Sequence, residues 1–214
     1  MTIWIILIIL IVVAIIVVAI RINTSEGPKT YLQTKSIDLQ TGDILFVSYK
    51  NSLGYFMKAW SNSKWTHTAM VYKSPDNKLY VMETANYPNK KGVQFLSIAE
   101  WYRYNKNCEI GVMRLRKPKD FNSNKILDSF EQISDKKLDT IGISWFRLLS
   151  KKKYTGLPLK DNITCYEMVV HLLQNSDIVD CVYSPSSYFP IDIVEHKMPM
   201  KEGFRYDRIA KFCF

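Results

Sequence analysis

Cys165, His67 and Glu83 are widely separated residues whose types and settings suit nucleophilic chemistry at a carbonyl. Cys165 lies in Asn162-Ile163-Thr164-Cys165-Tyr166-Glu167-Met168, where Thr164 and Glu167 have the S/T-x-x-E spacing of a capping box. Thr164 is then the N-cap and Cys165 the first helical residue. A thiol in that position meets the positive end of the helix dipole and free backbone N–H groups, both of which favour the thiolate. Such a thiolate attacks an amide or ester carbon when a base stands beside it. The plain alternative for a free cysteine is a small buried apolar residue, a reading that suits Cys108, Cys181 and Cys213 better.

The sequence has three histidines from which to choose that base. His171 shares the Cys165 helix but lies about 240° around its axis, out of reach of the thiol. His196 falls in a Pro-rich tail. His67 is the remaining candidate, and it opens a strand-like run over residues 67–72. A turn, Ser74-Pro75-Asp76-Asn77, joins it to a second run over 78–83. A hairpin symmetric about Pro75 sets His67 opposite Glu83, on one face with Ala69, Val71, Leu79 and Val81. A carboxylate there holds the imidazole in one tautomer and supports its protonated form. An ordinary cross-strand polar pair is the alternative. A metal held by His67, Glu83 and Cys165 would have spacings that match no familiar site, so neither metal nor cofactor is expected. Glu167 is assigned to the helix cap.

The elements that must position these groups read as an α+β domain, with strands first and helices later. Strands are expected over 43–49, 67–72, 78–83, 93–96 and 109–115, with short helices over 53–60 and 98–102. Ile126, Leu127, Phe130 and Ile133 have the three- and four-residue spacing of a helix over 123–138, and further helices are expected over 143–149 and 164–174. After Ser176, Pro185, Pro190 and Pro199 predict a long irregular closure.

Residues 3–20 are apolar without interruption, long enough at helical rise to cross a ~30 Å hydrocarbon layer. We read residues 1–21 as a transmembrane anchor, 22–40 as a polar stalk broken at Gly27-Pro28, and 41–214 as one domain. Arg21, Lys29 and Lys35 follow the apolar run and no basic residue precedes it, which favours the cytosolic side for the domain. The 214 residues carry 29 basic and 20 acidic side chains, a net +9 that favours an anionic bilayer surface as partner. The basic residues are scattered apart from Lys151-Lys152-Lys153, and no nucleic-acid-binding signature is present, so no nucleic acid is expected. The cysteines lack disulfide-scaffold density or C-x-x-C spacing and fit free thiols.

Four stretches together resemble a known group: Thr41-Gly42-Asp43-Ile44-Leu45-Phe46, Trp65-Thr66-His67-Thr68-Ala69-Met70-Val71, Tyr80-Val81-Met82-Glu83-Thr84-Ala85 and Thr164-Cys165-Tyr166-Glu167-Met168-Val169. They are similar to the circularly permuted papain-fold hydrolases of the NlpC-like superfamily, the YiiX-like proteins and their poxvirus relatives. In that group the His strand precedes the Cys helix, as here. The resemblance implies a permuted papain-like domain, an antiparallel sheet with packed helices, in which Cys165 is the nucleophile, His67 the base and then acid, and Glu83 the group orienting His67. It also implies an amide- or ester-containing substrate, with lipid-like or lipidated molecules made attractive by the tether. Thr66 departs from the serine that often precedes the histidine. The poxvirus likeness raises a large DNA virus as source, and a virion interior as location. A structural membrane protein that keeps the fold without using the site is the competing reading.

Overall fold

The computed structural model describes residues 38–61, 63–138, 161–188 and 190–212. The expected anchor, most of the stalk and the helix expected over 143–149 lie outside them. Among the described residues no helix is long and apolar enough to cross a membrane.

The architecture is built on a mixed-length antiparallel sheet. Its strands are β1 (Ile44–Ser48), β2 (His67–Lys73), β3 (Leu79–Tyr87), β4 (Lys90–Ser97), β5 (Glu109–Met113) and the late β10 (Ala210–Phe212), arranged β10-β5-β1-β2-β3-β4. Between β1 and β2 lies α1 (Ser52–Ser61), and α2 (Ile98–Asn105) follows β4. Next come β6 (Leu115–Arg116), α3 (Asn124–Glu131), β7 (Lys137–Leu138), β8 (Asn162–Ile163), α4 (Cys165–Asn175), α5 (Pro190–Val194) and β9 (Arg205–Tyr206). Two small pairings, antiparallel β6 with β9 and parallel β7 with β8, close the edges.

Residue alternation divides the interior into two layers. Ile44, Phe46, Met70, Tyr72 and Met82 face one way, onto Ile126 and Phe130 of α3 and Met168, Val169 and Leu172 of α4. Leu45, Val47, Ala69, Val71 and Val81 face the other way, onto Trp101 of α2, with Leu39 in the same cluster. Each fully buried Val, Leu, Ile, Phe or Met among them contributes about 1.5–3 kcal/mol of transfer free energy. The sheet is therefore covered on both sides, and its central strands β1 and β2 are buried almost throughout.

The Thr41-Gly42-Asp43 stretch is an architectural joint. Gly42 has φ +94°, and a Cβ there would stand 2.5 Å from Cδ2 of Leu115, so a side chain is excluded by both conformation and space. The Asp43 carboxylate accepts from the N–H of Gln40 at 2.9 Å, the N–H of Leu115 at 3.0 Å and Nε of Arg114 at 3.0 Å. Those donors tie the start of β1 to β6.

Several expectations change. The helix expected over 123–138 ends at Glu131, and Lys137 and Leu138 pair instead with Asn162 and Ile163. Backbone pairing outcompetes a spacing that had run past the helix's buried face. The tail after Ser176 is more ordered than its prolines predict: it carries a 3₁₀ turn at Pro185–Ser187, α5, β9 and β10, and β10 joins the main sheet beside β5. Proline interrupts a ladder only where it stands, leaving 205–206 and 210–212 free to pair.

Candidate active site

The hairpin of β2 and β3 does not fold about Pro75. Val71 pairs with Val81 and Met70 with Met82, so the register, carried on, sets Ala69 and not His67 opposite Glu83. Asn77 adopts φ 61° and supplies the left-handed turn residue, which recentres the hairpin on Asp76. A slip of two positions on one strand preserves the face of every side chain. His67 and Glu83 therefore still share a side, as diagonal neighbours, and His67 Nε2 lies 2.7 Å from Glu83 Oε2.

The pairing of β2 with β3 stops at Met70 and Met82, while β3 stays paired with β4 as far as Tyr87. The hairpin thus opens at the His67 end. The N-terminus of α4 reaches this opening: Cys165 interacts with the His67 ring and with the backbone N–H of Thr68. Since Nε2 faces Glu83, Nδ1 is the ring nitrogen left for the thiol. Cys165, His67 and Glu83 are all buried. The imidazole thus interacts with both the thiol and the carboxylate.

Local sequence explains the placement of the thiol. Thr164 is an extended N-cap whose side chain accepts from the Glu167 N–H, and the Glu167 carboxylate accepts from the Thr164 N–H at 2.7 Å. The expected capping box is present, which fixes the first turn of α4 and leaves the Cys165 N–H outside the box. Thr66, the departure from serine, uses its hydroxyl twice: it donates to the Val47 carbonyl at 3.0 Å and accepts from the Tyr49 N–H at 2.9 Å.

The charges of the pair support each other. Burial pushes the Cys165 thiol up, but the charge of His67, their hydrogen bond and the Thr68 backbone N–H outweigh it and hold the thiol below its ordinary value. Burial likewise pulls His67 down, yet Tyr49, Cys165 and Glu83 outweigh it and hold the imidazole well above its ordinary value. Both shifts favour a thiolate beside an imidazolium. The other described thiols move the opposite way: burial pushes up Cys108 and Cys181. Cys181 is exposed and Cys108 half-buried, so neither is the small core residue expected of them. Cys213 lies outside the described residues.

The remaining histidines have other surroundings. His171 Nε2 lies 3.0 Å from Nδ2 of Asn175, and burial, with Lys136, pushes it down to about 4. His196 is exposed, with φ 56°, just after α5. Among the described residues no group of three or more His, Cys, Asp and Glu side chains is disposed to hold a metal ion.

Sequence reasoning missed the shell around His67 and Glu83. The Trp101 indole donates from Nε1 to Glu83 Oε2 at 3.0 Å, and the Tyr49 ring stacks on the imidazole at 5.9 Å between centroids. Sequence patterning gives Trp101 only as part of the helix expected over 98–102 and Tyr49 only as the end of the strand expected over 43–49. No local signal separates those readings from the observed roles.

A histidine strand that precedes a cysteine-bearing helix is the circularly permuted order of the papain-like cysteine hydrolases. The profile of the permuted papain-like amidase enzymes, the YaeF/YiiX or C92 family, matches residues 38–184. The chain belongs to that family. Among solved structures it is similar in fold to YiiX of Escherichia coli O157:H7, titled a metalloprotein, at TM-score 0.51 and 16% identity over 82% of this chain and 99% of the other. No curated protein matches the chain. Family and fold together make it a protein of the cysteine hydrolase type.

Proposed function

We propose that the protein cleaves an amide or ester bond through Cys165, His67 and Glu83, as a hydrolase or acyltransferase. The observation that carries this reading is the position of the His67 ring, between a thiol held below its ordinary value and a buried carboxylate at 2.7 Å.

The Cys165 thiolate attacks the carbonyl carbon, and the oxyanion forms beside the start of α4, where the Cys165 N–H stands as a donor. The carbon–nitrogen or carbon–oxygen bond then breaks, and the His67 imidazolium gives its proton to the leaving amine or alcohol. In the second half the neutral ring takes a proton from water or another acceptor, which attacks the thioester. The carbon–sulfur bond breaks and the thiolate–imidazolium pair returns. Glu83 keeps Nε2 engaged throughout, so Nδ1 stays aimed at sulfur.

The uninterrupted apolar run over 3–20 and the net charge of +9 support a further part of the reading: a single-pass anchor holding the domain at an anionic bilayer, on the cytosolic side. A site held at that surface suits lipid-like or lipidated substrates. Full-length protein is assayed with an activated ester, phospholipid, lipid-amide and peptide substrates, beside Cys165→Ala and Cys108→Ala. Turnover of any of them lost in Cys165→Ala alone supports the mechanism. Equal turnover by wild type and Cys165→Ala sinks it.

A further inference from the structure

Asn105 ends α2, is fully buried, and belongs to neither strand of the hairpin. Its carboxamide nevertheless connects the groups that surround the imidazole. Oδ1 accepts from the Tyr49 hydroxyl at 3.2 Å, across 56 residues of chain. Nδ2 donates to the Tyr87 hydroxyl at 3.1 Å and to the Trp101 carbonyl at 3.0 Å. Tyr49 is the ring stacked on His67, and Trp101 is the indole that donates to Glu83. Tyr87 stacks on Tyr104 at 3.9 Å, which fixes its ring independently of its hydroxyl.

The direction of these bonds is set by chemistry. An amide oxygen only accepts and an amide nitrogen only donates, so the Tyr49 proton points to Asn105 and the Tyr87 oxygen receives from it. Burial and then the charge of Glu83 push the Tyr87 phenol up, so it keeps its proton. That proton is left over for an acceptor, and Glu83 Oε1 is a buried acceptor with no hydrogen-bond partner among the described residues. One carboxamide therefore sits behind both sides of the His67–Glu83 pair.

We propose that Asn105 is a positioning residue for the reaction: it holds the Tyr49 ring against the His67 imidazole and the Tyr87 hydroxyl towards Glu83. This rests on the reading of Cys165 and His67 as the reacting pair. Loss of Asn105 frees the Tyr49 ring to turn away and removes the donor that orders the Tyr87 hydroxyl, so the imidazolium loses support and the thiolate loses part of its stabilisation.

The test reads the pair directly and needs no natural substrate. Full-length wild type, Asn105→Ala, Tyr49→Phe and Tyr87→Phe are alkylated with iodoacetamide from pH 4 to 10, Cys165 modification is followed by mass spectrometry, and thermal midpoints are recorded. Tyr49→Phe and Tyr87→Phe keep each ring and remove one of the two hydroxyls that Asn105 engages, so they decide the matter should Asn105→Ala not fold. The expected result is a wild-type limb below the ordinary thiol value of about 8.5. In the variants that limb moves to higher pH by about half a unit to one unit, as when a supporting partner rather than a full charge is removed. Reactivity at a pH below the wild-type midpoint falls about threefold to tenfold in step with it. A purely structural role would lower the thermal midpoint and leave the limb in place, and that result in every folded variant overturns the proposal. A wild-type limb at the ordinary value overturns the reading of the reacting pair itself, and the role of Asn105 with it.

Discussion

At the turn of the β2–β3 hairpin the Ser74 N–H bonds the Lys78 carbonyl and the Asn77 N–H bonds the Ser74 carbonyl, both at 2.9 Å, while Lys78 and Asp76 pair at 2.8 Å in water. At the other end the ladder stops at Met70 and Met82, and Cys165, His67 and Glu83 occupy the opening. The same two strands thus end in a self-satisfied, exposed turn and in a buried gap filled by titratable side chains. Charge behaves accordingly. Lys78 and then Ser74 hold exposed Asp76 down at about 2, where solvent screens most of the consequence. At the buried end the shifts of Cys165 and His67 depend on each other, and water screens little of that coupling. The candidate site falls where the backbone leaves a gap for a helix terminus to enter.

Changes at the open end are expected to dominate function. Cys165→Ala and His67→Ala should each lower turnover of an activated ester by about a thousandfold or more, since each removes a member of a unit that acts together. Steady-state assays beside thermal melts separate this from unfolding. Loss of less than tenfold in either would break the comparison at its centre.

Glu83→Gln should cost about 10- to 100-fold while the protein stays folded, because imidazole orientation is kept without the carboxylate's support of the imidazolium. The pH profile sharpens this. Cys165 is held below its ordinary value, so activity rises with pH as the thiolate forms, at lower pH than for a free thiol. His67 is held well above its ordinary value, so activity falls only when the imidazolium loses its proton, above about pH 6.5. Glu83→Gln lowers the affinity of His67 for its proton, and the falling limb should move to lower pH. A kcat/KM profile with an unmoved falling limb removes Glu83 from this role. Trp101→Phe keeps the apolar bulk and removes the donor to Glu83; a loss of a few-fold in kcat/KM is expected, about 1 kcal/mol for one hydrogen bond.

The smallest effects belong to the turn. Asp76→Asn should leave kcat/KM unchanged and lower the thermal midpoint marginally. Asn77→Gly, at φ 61°, should change stability by no more than about 0.5 kcal/mol, since glycine adopts that conformation freely. A turn substitution that altered turnover as much as Trp101→Phe would show that the two ends are coupled through the strands, against the division drawn above.

What the sequence determined is local. The capping box placed Cys165 at a helix start, because Thr164 and Glu167 satisfy each other's backbone within four residues. Alternation assigned His67 and Glu83 to one side, and a two-residue error in register left that assignment intact. The order of the His strand and the Cys helix carried the family. Tertiary structure decided where the ladder ends, which face α2 and α4 each cover, and that β10 returns to the main sheet. It also decided that Tyr49, Tyr87 and Trp101 meet at one carboxamide. Contacts across such separations depend on how layers pack, and no short-range pattern in the chain encodes them.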